Sequence, residues 1–461
     1  MIRLFNQYVR VPFLVLAALE FVIVILAVQL GTAIRFGLAG WQNISTPAIS
    51  IVFVGAAVLV SIMSMGLYQS RLREGYEGVL ARLGMSCGAA MLILSLIFYI
   101  FPSLYLGRGV LGIVFLLSFV GLSALRYCFL KVVDEKALKR RVLVLGAGKR
   151  AANIHKRIRR KADQRGFYIL GYVHVHGERD DIPENRIINM DCPLNEYVVQ
   201  NEVDEIVVAI DDRRQKFPLD ELLDLKLNGV DVVDIMAFFE REMGKIETRM
   251  LYPGWLIFAD GFDRSATRML SKRVFDITAS LMLLLVTWPV MLATMLAIRL
   301  EDGSSAPFLY KQTRVGLDGL PFDVLKFRSM IEDAEKEGAV WAQKNDMRVT
   351  KVGEFIRKYR IDELPQLINV LGGQMAFVGP RPERPEFIGD LCEKIPYFNE
   401  RHRVKPGITG WAQLCYPYGA SDEDSEQKLQ YDLYYVKNHN LLLDLTILIQ
   451  TVEVVLFGRG R

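Results

Sequence analysis

The hydrophobic residues of the N-terminal part of the chain are gathered into four long runs. Each run is close to the ~20 residues that an α-helix needs to cross about 30 Å of hydrocarbon. The pattern therefore predicts four membrane-spanning helices. They cover approximately residues 11–35, 46–68, 83–102 and 109–130.

The basic residues between these runs predict their orientation. The N-terminal arm and loop 69–82 carry arginines, whereas loop 36–45 has no charge and loop 103–108 has only Arg108. The fourth run is followed by the basic segment KVVDEKALKRR. Because basic connections tend to remain in the cytoplasm, the N-terminus and the chain after residue 131 are expected there.

Glu20 places an acidic side chain inside the first run. Such a residue can contact an ion or a lipid headgroup, or it can be a satisfied packing contact between helices. We favour the packing contact.

The overall composition agrees with a chain that lies partly in a membrane. Of the 461 residues, 51% are hydrophobic, and the mean hydropathy of +0.22 is high for a chain with 23% charged residues. The length suggests about two to four units. The net charge is only +4, so the basic residues matter by their position. The five cysteines form no CxxC pair, which indicates neither a zinc site nor a disulfide framework and fits a reducing compartment.

A strand, a glycine turn and a helix follow in RVLVLGAGKRAANIHKRIRR, residues 141–160. Gly146, Gly148 and Ala151 fit the pattern GxGxxA. In this pattern the first glycine permits a tight turn, and the second permits a phosphate to approach the backbone and the helix N-terminus. Further strand-like segments lie at 167–176, 205–210 and 229–235. Together they predict a Rossmann-like module of about 120 residues.

The sequence leaves the ligand of this module open. In a nucleotide-binding module the second strand should end in an acid that binds the ribose, about 20 residues after the glycine pattern. Here that strand ends in Val173-His174-Val175-His176. A Tyr-x-x-x-Lys pair, which extended dehydratases and epimerases use, is absent from residues 142–271. A structural or regulatory domain is therefore favoured over a bound nucleotide. At the two histidines, a half-exposed strand face is favoured over a metal site.

Cations gather in the last third of the chain. Two extended runs flank Asp318–Gly319, a strong hairpin signal, and the second run ends in the cations Lys326 and Arg328. Cations at a strand end can simply be solvated, but the proline-rich stretch VGPRPERPE follows further on. A proline on each side restrains the backbone of Arg381, which suits a guanidinium aimed at phosphate oxygens.

Two adjacent carboxylates, Asp362 and Glu363, stand in this basic region, just after Arg357, Lys358 and Arg360. This set is what Mg²⁺-assisted phosphoryl chemistry needs. One carboxylate can attack phosphorus, its neighbour can hold the metal or orient the first, and the cations neutralise the phosphoryl oxygens. Because an opposite charge lowers the pKa of a carboxyl group, the cations are also expected to keep both acids ionised at neutral pH. The alternative is that the acids only stabilise a helix N-terminus, which leaves the cations unexplained.

A fifth apolar run occupies residues 274–298 and carries Trp288 and Pro289 near its middle. If this run crossed the membrane, residues 300–461 would lie outside the cytoplasm, where nucleotide-activated phosphoryl donors are absent. Because a proline removes a backbone donor and kinks a helix, we predict a re-entrant helix-break-helix that enters and leaves on the cytoplasmic side. An ordinary fifth span with a proline kink is the alternative.

The motifs KFRSM, DELPQLINVL, VGPRP and KPGITGWAQ occur in this order after the fifth apolar run. In them the chain resembles the bacterial sugar transferase family, polyprenyl-phosphate hexose-1-phosphate transferases with a monotopic catalytic domain. The four preceding spans and the Rossmann-like module resemble the long branch of this family, which starts exopolysaccharide or O-antigen repeat units. The likeness covers the whole chain and is most specific over residues 272–461.

The resemblance implies a reaction in two steps. Asp362 matches the family's nucleophile, which attacks the β-phosphate of a UDP-sugar and releases UMP. A membrane polyprenyl phosphate, typically undecaprenyl phosphate, then takes the phosphosugar from the aspartyl intermediate. Glu363 matches the second acid of the family's pair, associated with Mg²⁺, and we expect both acids at the metal site.

The resemblance also implies a set of phosphate-binding cations. Arg381 matches the arginine of the family's Pro-Arg-Pro motif, and Lys326 and Arg328 match basic residues near the substrate phosphates. Arg360 is an additional cation beside the acids, which we include in this set.

Two positions depart from the family pattern. Gly373-Gln374-Met375-Ala376 stands where the family often has GDMS, so an acidic contact is missing. Tyr359-Arg360 replaces smaller polar residues before the acids.

We therefore predict a membrane protein with an α plus α/β fold in three parts. These are a four-helix transmembrane domain (1–135), a cytoplasmic Rossmann-like domain (136–265) and a monotopic phosphoglycosyl transferase domain (266–461) with a re-entrant helix at 274–298. The expected place is the bacterial inner membrane, with the catalytic domain on the cytoplasmic face.

The expected partners are a UDP-sugar, undecaprenyl phosphate and the lipid bilayer, with Mg²⁺ as cofactor. A homodimer is left open, as is a nucleotide on the Rossmann-like domain, and no nucleic acid is expected. Two rival functions remain. One is a membrane-tethered nucleotide-sugar dehydratase or oxidoreductase that uses the Rossmann-like domain, and the other is a non-catalytic scaffold for polysaccharide assembly.

Overall fold

The structure, a computed structural model, divides into two compact units whose main boundary lies between Arg241 and Glu242. Each unit has hydrophobic clusters of its own. Strands β1 (Ile2–Leu4) and β2 (Gln7–Val9) pair with each other. The structure describes residues 2–4, 7–9, 11–43, 48–68, 76–133, 139–158, 166–175, 179–190, 192–211, 217–251, 253–303, 307–331, 347–416, 419 and 421–456.

The four predicted N-terminal spans are confirmed as four helices. α1 departs from helical geometry at Gly37 (φ 74°, ψ 165°), so its regular part ends there. α1, α3 and α4 are long and apolar enough to cross a membrane. α2 has 17 residues, at the lower limit of the ~17–25 that suffice. The bounds of α1 to α4 are Val11–Asn43, Ala48–Ser64, Tyr76–Ile100 and Arg108–Val133.

The four helices pack around a core of aliphatic side chains such as Val28 and Val58. Glu20 is fully buried among them. Its carboxylate pairs with Arg126 at 2.7 Å and accepts a hydrogen bond from the Tyr68 hydroxyl. Glu20 is therefore a satisfied packing contact, as predicted.

A parallel α/β module forms the rest of the first unit and confirms the predicted Rossmann-like architecture. Its five strands pair in the order β5-β4-β3-β6-β7, all parallel. The strands β3 to β7 are Arg140–Leu145, Phe167–Val173, Ile187–Ile188, Glu205–Val208 and Asp231–Asp234. The helices α5 to α8 are Lys149–Arg157, Leu194–Gln200, Leu219–Leu227 and Ile235–Met243.

The second unit contains α9 (Pro253–Phe258) and the long helix α10 (Ala266–Asp302). The predicted break at Pro289 is wrong, because every residue from Ala266 to Asp302 is helical. A proline deletes only one backbone hydrogen bond, so a helix can bend there and continue. The middle of α10 exposes apolar side chains, including Leu285 and Val286, as a lipid-facing helix does. Its re-entrant course stays a prediction.

Among its described residues the second unit also contains a β-hairpin, a pair of parallel strands and six further helices. Strands β8 (Leu309–Val315) and β9 (Pro321–Phe327) are antiparallel. Asp318 and Gly319, between them, have left-handed φ values of 53° and 81°, so the predicted hairpin is confirmed. Strands β10 and β11, Ala376–Val378 and Gly407–Thr409, form a parallel pair. The helices α11 to α16 are Lys351–Lys358, Gln366–Leu371, Pro385–Lys394, Trp411–Cys415, Asp422–Asn438 and Leu441–Leu456.

Candidate active site

The two predicted acids lie in a short connection between two helices. α11 ends at Lys358, and Arg360 then takes a left-handed conformation with φ 56°. The next three residues, Ile361–Glu363, form a 3-10 turn that carries both acids, and α12 begins at Gln366. The acids therefore precede α12 instead of lying in its first turn.

Glu363 is buried, and arginines engage both of its carboxylate oxygens. Arg381 Nη2 lies 2.9 Å from Oε1, and Arg360 Nη1 lies 3.1 Å from Oε2. Burial by itself raises the pKa of this carboxyl group, but the positive charges of Arg381 and Arg360 outweigh burial and hold the pKa below its usual range. Glu363 is therefore ionised at neutral pH.

Asp362 makes no hydrogen bond or ion pair with any residue that the structure describes. Burial and the charge of Glu363 raise the pKa of its carboxyl group. Three cations oppose this shift: Lys326, Arg381 and Arg357. The cations lower the pKa of Asp362 as expected, but burial and the like charge of Glu363 outweigh them, so the pKa rises to about 6. The carboxyl group is still mostly ionised at pH 7.

The buried side chain of Asn369 holds strand β9 against α12 and so fixes Lys326 relative to the acids. Asn369 Oδ1 accepts a hydrogen bond from Leu325 N at 3.0 Å. Its Nδ2 donates to the Asp323 carbonyl at 2.8 Å and to Gln374 Oε1 at 2.9 Å. Gln374, where the family often has an acid, thus serves as an acceptor for Asn369.

Asn369→Leu is expected to destabilise the full-length protein. The substitution removes the hydrogen bonds to the Leu325 amide and the Asp323 carbonyl, both partly buried, and the loss of each costs about 0.5–1.5 kcal/mol. Thermal unfolding in detergent should show a lower melting temperature than wild type. Asn185→Leu, at an exposed asparagine of the first unit whose side chain bonds to no described residue, is the control. Equal melting temperatures for Asn369→Leu and wild type would contradict the role given to Asn369.

The loop that carries Arg381 is restrained by its neighbours as well as by its prolines. The Arg381 carbonyl accepts a hydrogen bond from Arg401 Nη2 at 2.8 Å, and the Pro382 carbonyl accepts one from Arg314 Nη1 at 3.1 Å. Arg401 is itself buried and paired with Asp432 at 2.8 Å. These contacts hold the loop in place, with the Arg381 guanidinium on Glu363.

The predicted site did not include two further side chains, one that acts on an acid and one that contacts Arg360. Arg357, in the last turn of α11, acts on the pKa of Asp362, and its buried Nη1 bonds to no described residue. Gln413, on α14, accepts a hydrogen bond from Arg360 Nη1 at 3.4 Å. The sequence places Arg357 five residues before Asp362, but there it is only one of several cations.

Arg328 is the predicted site residue that the structure places elsewhere. Its guanidinium pairs with Asp302 at the end of α10, at 2.5 Å. Strand β9 ends at Phe327, so Arg328 no longer follows the alternation that would set it on the same face as Lys326. Its role in phosphate binding stays a prediction.

The two acids fit a Mg²⁺ ion bound together with a phosphate substrate. Among the residues that the structure describes, no group of three or more His, Cys, Asp and Glu side chains could hold a metal by itself. Mg²⁺, however, is commonly held by one or two carboxylates plus substrate phosphates and water. Asp362 and Glu363 supply that number of carboxylates.

Comparison with known proteins identifies the family. A family described as bacterial sugar transferase matches residues 267–458, and one described as CoA-binding domain matches residues 63–231. An uncharacterized sugar transferase of Bacillus subtilis (strain 168) is 44% identical over 192 residues, which are 42% of this chain and 90% of that protein. The chain belongs to the bacterial sugar transferase family.

Two further relatives carry more specific names. A UDP-N-acetylgalactosamine-undecaprenyl-phosphate N-acetylgalactosaminephosphotransferase of Aeromonas hydrophila is 46% identical over 189 residues, 41% of this chain and 44% of that protein. An undecaprenyl-phosphate glucose phosphotransferase of Komagataeibacter xylinus is 32% identical over 333 residues, 70% of this chain and 60% of that protein. The chain thus spans about half the length of these two sugar transferases.

The membrane helices agree with this family. The described residues contain four helices long and apolar enough to cross a membrane, which are α1 to Gly37, α3, α4 up to Phe129, and α10. The shorter α2 is also apolar. This sugar transferase family member is a multi-pass membrane protein.

The residues of the glycine pattern lie together between β3 and α5. Gly146 has φ 119°, a conformation that side chains rarely adopt, Gly148 precedes α5, and Ala151 is fully buried on α5. After β4, His174 Nδ1 pairs with Asp180 at 2.8 Å. The second histidine considered as a metal ligand, at position 176, lies outside the described residues.

Proposed function

We propose that the protein is a phosphoglycosyl transferase that moves a hexose-1-phosphate from a UDP-sugar to undecaprenyl phosphate and releases UMP. The observation that carries this proposal is the difference between the two acids. Both oxygens of Glu363 are engaged by arginines, whereas Asp362 bonds to no described residue. One carboxylate is therefore fixed, and the other is available to a substrate.

In the first step an Asp362 carboxylate oxygen attacks the phosphorus that bears the sugar. The bridging P–O bond breaks, and UMP leaves with the electron pair. In the second step a phosphate oxygen of undecaprenyl phosphate attacks the same phosphorus, and the Asp362 carboxylate leaves. The lipid then carries a diphosphosugar, and the enzyme is restored without a net change in its own protons.

The cations around the acids stabilise the charge of the phosphoryl oxygens. Arg381 and Lys326 both act electrostatically on the two acids, which supports their assignment as phosphate-binding cations. Arg360 and Glu363 hold each other in position. Mg²⁺, when held by Asp362 and Glu363 with the substrate phosphates, supplies additional charge neutralisation.

The proposal includes the setting of the reaction. A soluble nucleotide donor and a lipid acceptor meet at the cytoplasmic face of a bacterial inner membrane, where a re-entrant α10 anchors the catalytic unit. The product would start an exopolysaccharide or O-antigen repeat unit. The alternation of basic and neutral loops supports this orientation, and a cysteine-accessibility map of residues on either side of α10 tests it.

A donor panel tests the proposed activity. Purified full-length protein is incubated with Mg²⁺, undecaprenyl phosphate and UDP-glucose, UDP-galactose, UDP-N-acetylglucosamine or UDP-N-acetylgalactosamine, and UMP is measured. We expect UMP and lipid-linked phosphosugar in equal amounts with one donor or a related pair. The names of the two relatives, one for glucose and one for N-acetylgalactosamine, justify testing both classes. A folded protein that forms no UMP with any donor would refute the proposal.

Lys326 is expected to set the alkaline limit of the reaction. Burial, followed by the neighbouring charge of Arg381, lowers the pKa of Lys326 to about 8. The ammonium group is therefore present below that pH and lost above it, so kcat/KM should fall as the pH rises through about 8. In Lys326→Arg the charge persists, and the alkaline limb should move to higher pH. An identical alkaline limb in wild type and Lys326→Arg would contradict this assignment.

The raised pKa of Asp362 predicts the acid side of the same profile. The carboxylate must be ionised to attack phosphorus, so activity should be lost on acidification at a higher pH than an ordinary aspartate would give.

A further inference from the structure

The N-terminus of α5 is the place where a nucleotide-binding module of this topology holds a phosphate. The backbone N–H groups at such an N-terminus point at the ligand, and the helix dipole favours a negative charge. In this protein the N–H groups of Lys149 and Arg150 both donate to the carboxylate of Asp211, at 2.8 and 2.9 Å. The chain's own carboxylate thus occupies the phosphate position.

The glycines of the turn are explained by contacts within the chain. A Cβ at position 148 would lie 2.4 Å from Asp211 Oδ2, so Gly148 makes room for the carboxylate. A Cβ at position 146 would lie 2.8 Å from the Ala209 carbonyl oxygen, so Gly146 makes room for the backbone directly after β6. Neither glycine therefore requires a phosphate to account for it.

The contacts made by the residues after β4 also differ from those expected in a nucleotide-binding site. Asp180 is an acid that follows β4, the second strand of the module. It is already paired with His174 at 2.8 Å. The next residue, Asp181, donates its backbone N–H to the Ala147 carbonyl at 2.9 Å. The segment after β4 is thereby bonded to the glycine turn itself.

From these contacts we infer that the module is a nucleotide-type fold without a phosphate ligand, in which Asp211 takes the place of the phosphate. The match to a CoA-binding domain family implies a ligand with a diphosphate, but the residues at this turn do not fit one. A diphosphate would have to displace a carboxylate held by two backbone N–H groups, or lie beside it against like-charge repulsion.

A binding experiment on the full-length protein in lipid nanodiscs tests the inference directly. CoA and ADP are titrated separately in the presence of excess UMP, which occupies the proposed catalytic site, and binding is followed by calorimetry. The wild-type protein is expected to show no saturable binding of either probe up to about 1 mM. Saturable binding of CoA or ADP to the wild type would overturn the inference.

A double-mutant cycle tests the role of Asp211 without any ligand. Gly148→Ala should lower the melting temperature by about 2–4 °C, because the new methyl group meets the carboxylate. In the Asp211→Ala background the same substitution should lower the melting temperature by much less, since the obstructing group is gone. An equal loss in both backgrounds would overturn the assignment of Asp211.

Asp204 provides a matched control for this cycle. It is also a carboxylate of the module, and it accepts one backbone hydrogen bond, from Arg141 N at 2.7 Å. The effects of Gly148→Ala and Asp204→Ala should therefore be additive. Coupling of Gly148 to Asp204 as strong as to Asp211 would show that the cycle reports general weakening of the module, and the inference would fail.

Discussion

Asp362→Asn is expected to abolish UMP release, with undecaprenyl phosphate present or absent. The amide has nearly the same size as the carboxylate but lacks the anionic oxygen that attacks phosphorus. Loss of a nucleophile lowers kcat by at least about 10³-fold. The measurement is UMP formation by the purified full-length variant with the donor that the wild type uses.

Two comparisons make this result specific. Asp390→Asn removes an exposed carboxylate of α13 in the same unit, and it should leave the rate unchanged. With donor alone, the wild type should retain one acid-labile sugar phosphate on each chain, whereas Asp362→Asn should retain none. Normal turnover by Asp362→Asn, or a labelled adduct on that variant, would show that Asp362 is not the nucleophile.

The environments of the two acids explain why adjacent carboxylates can serve different purposes. Glu363 is fixed and ionised by Arg381 and Arg360. Its charge contributes to the raised pKa of Asp362, and a more basic carboxylate is a stronger nucleophile once it is ionised. The arginines therefore act on Asp362 both directly, as opposite charges, and indirectly, by keeping its neighbour negative.

Features encoded over a few neighbouring residues could be predicted from the sequence. The hydrophobic runs predicted the four N-terminal helices, Asp318–Gly319 predicted the hairpin, and the glycine pattern predicted the turn between β3 and α5. Glu363 and Arg381 are 18 residues apart along the chain. The prediction that they share one site came from the resemblance to known motifs and not from periodicity.

Features that depend on tertiary contacts could not be predicted in this way. Asp211 meets the N-terminus of α5 from 62 residues along the chain, and no local pattern marks it as a helix cap. Arg328 turns to Asp302 because β9 ends one residue earlier. The raised pKa of Asp362 depends on how deeply the turn is buried, which charge counting along the sequence does not reveal.

Arg381→Ala is expected to produce the second large loss of activity. Arg381 is the cation on Glu363 Oε1, at 2.9 Å, and it also faces the position proposed for the phosphoryl group. Removal of one preorganised charge donor of this kind lowers the rate by about 10²–10³-fold. Arg381→Lys should recover only part of the loss, because an ammonium cannot make the planar, paired contacts of a guanidinium. Steady-state kcat and kcat/KM for the two variants provide the measurement.

The pH profile separates this role from a purely structural one. The acid limb of kcat/KM reports the raised pKa of Asp362, and Arg381 is one of the cations that oppose this rise. Its removal should raise the pKa of Asp362 further, so the acid limb should move to higher pH in Arg381→Ala. Arg403→Ala, at an exposed arginine paired only with Glu400 among the described contacts, should move neither the rate nor the limb. If Arg381→Ala lost activity with an unchanged acid limb, Arg381 would bind substrate without lowering the pKa of Asp362.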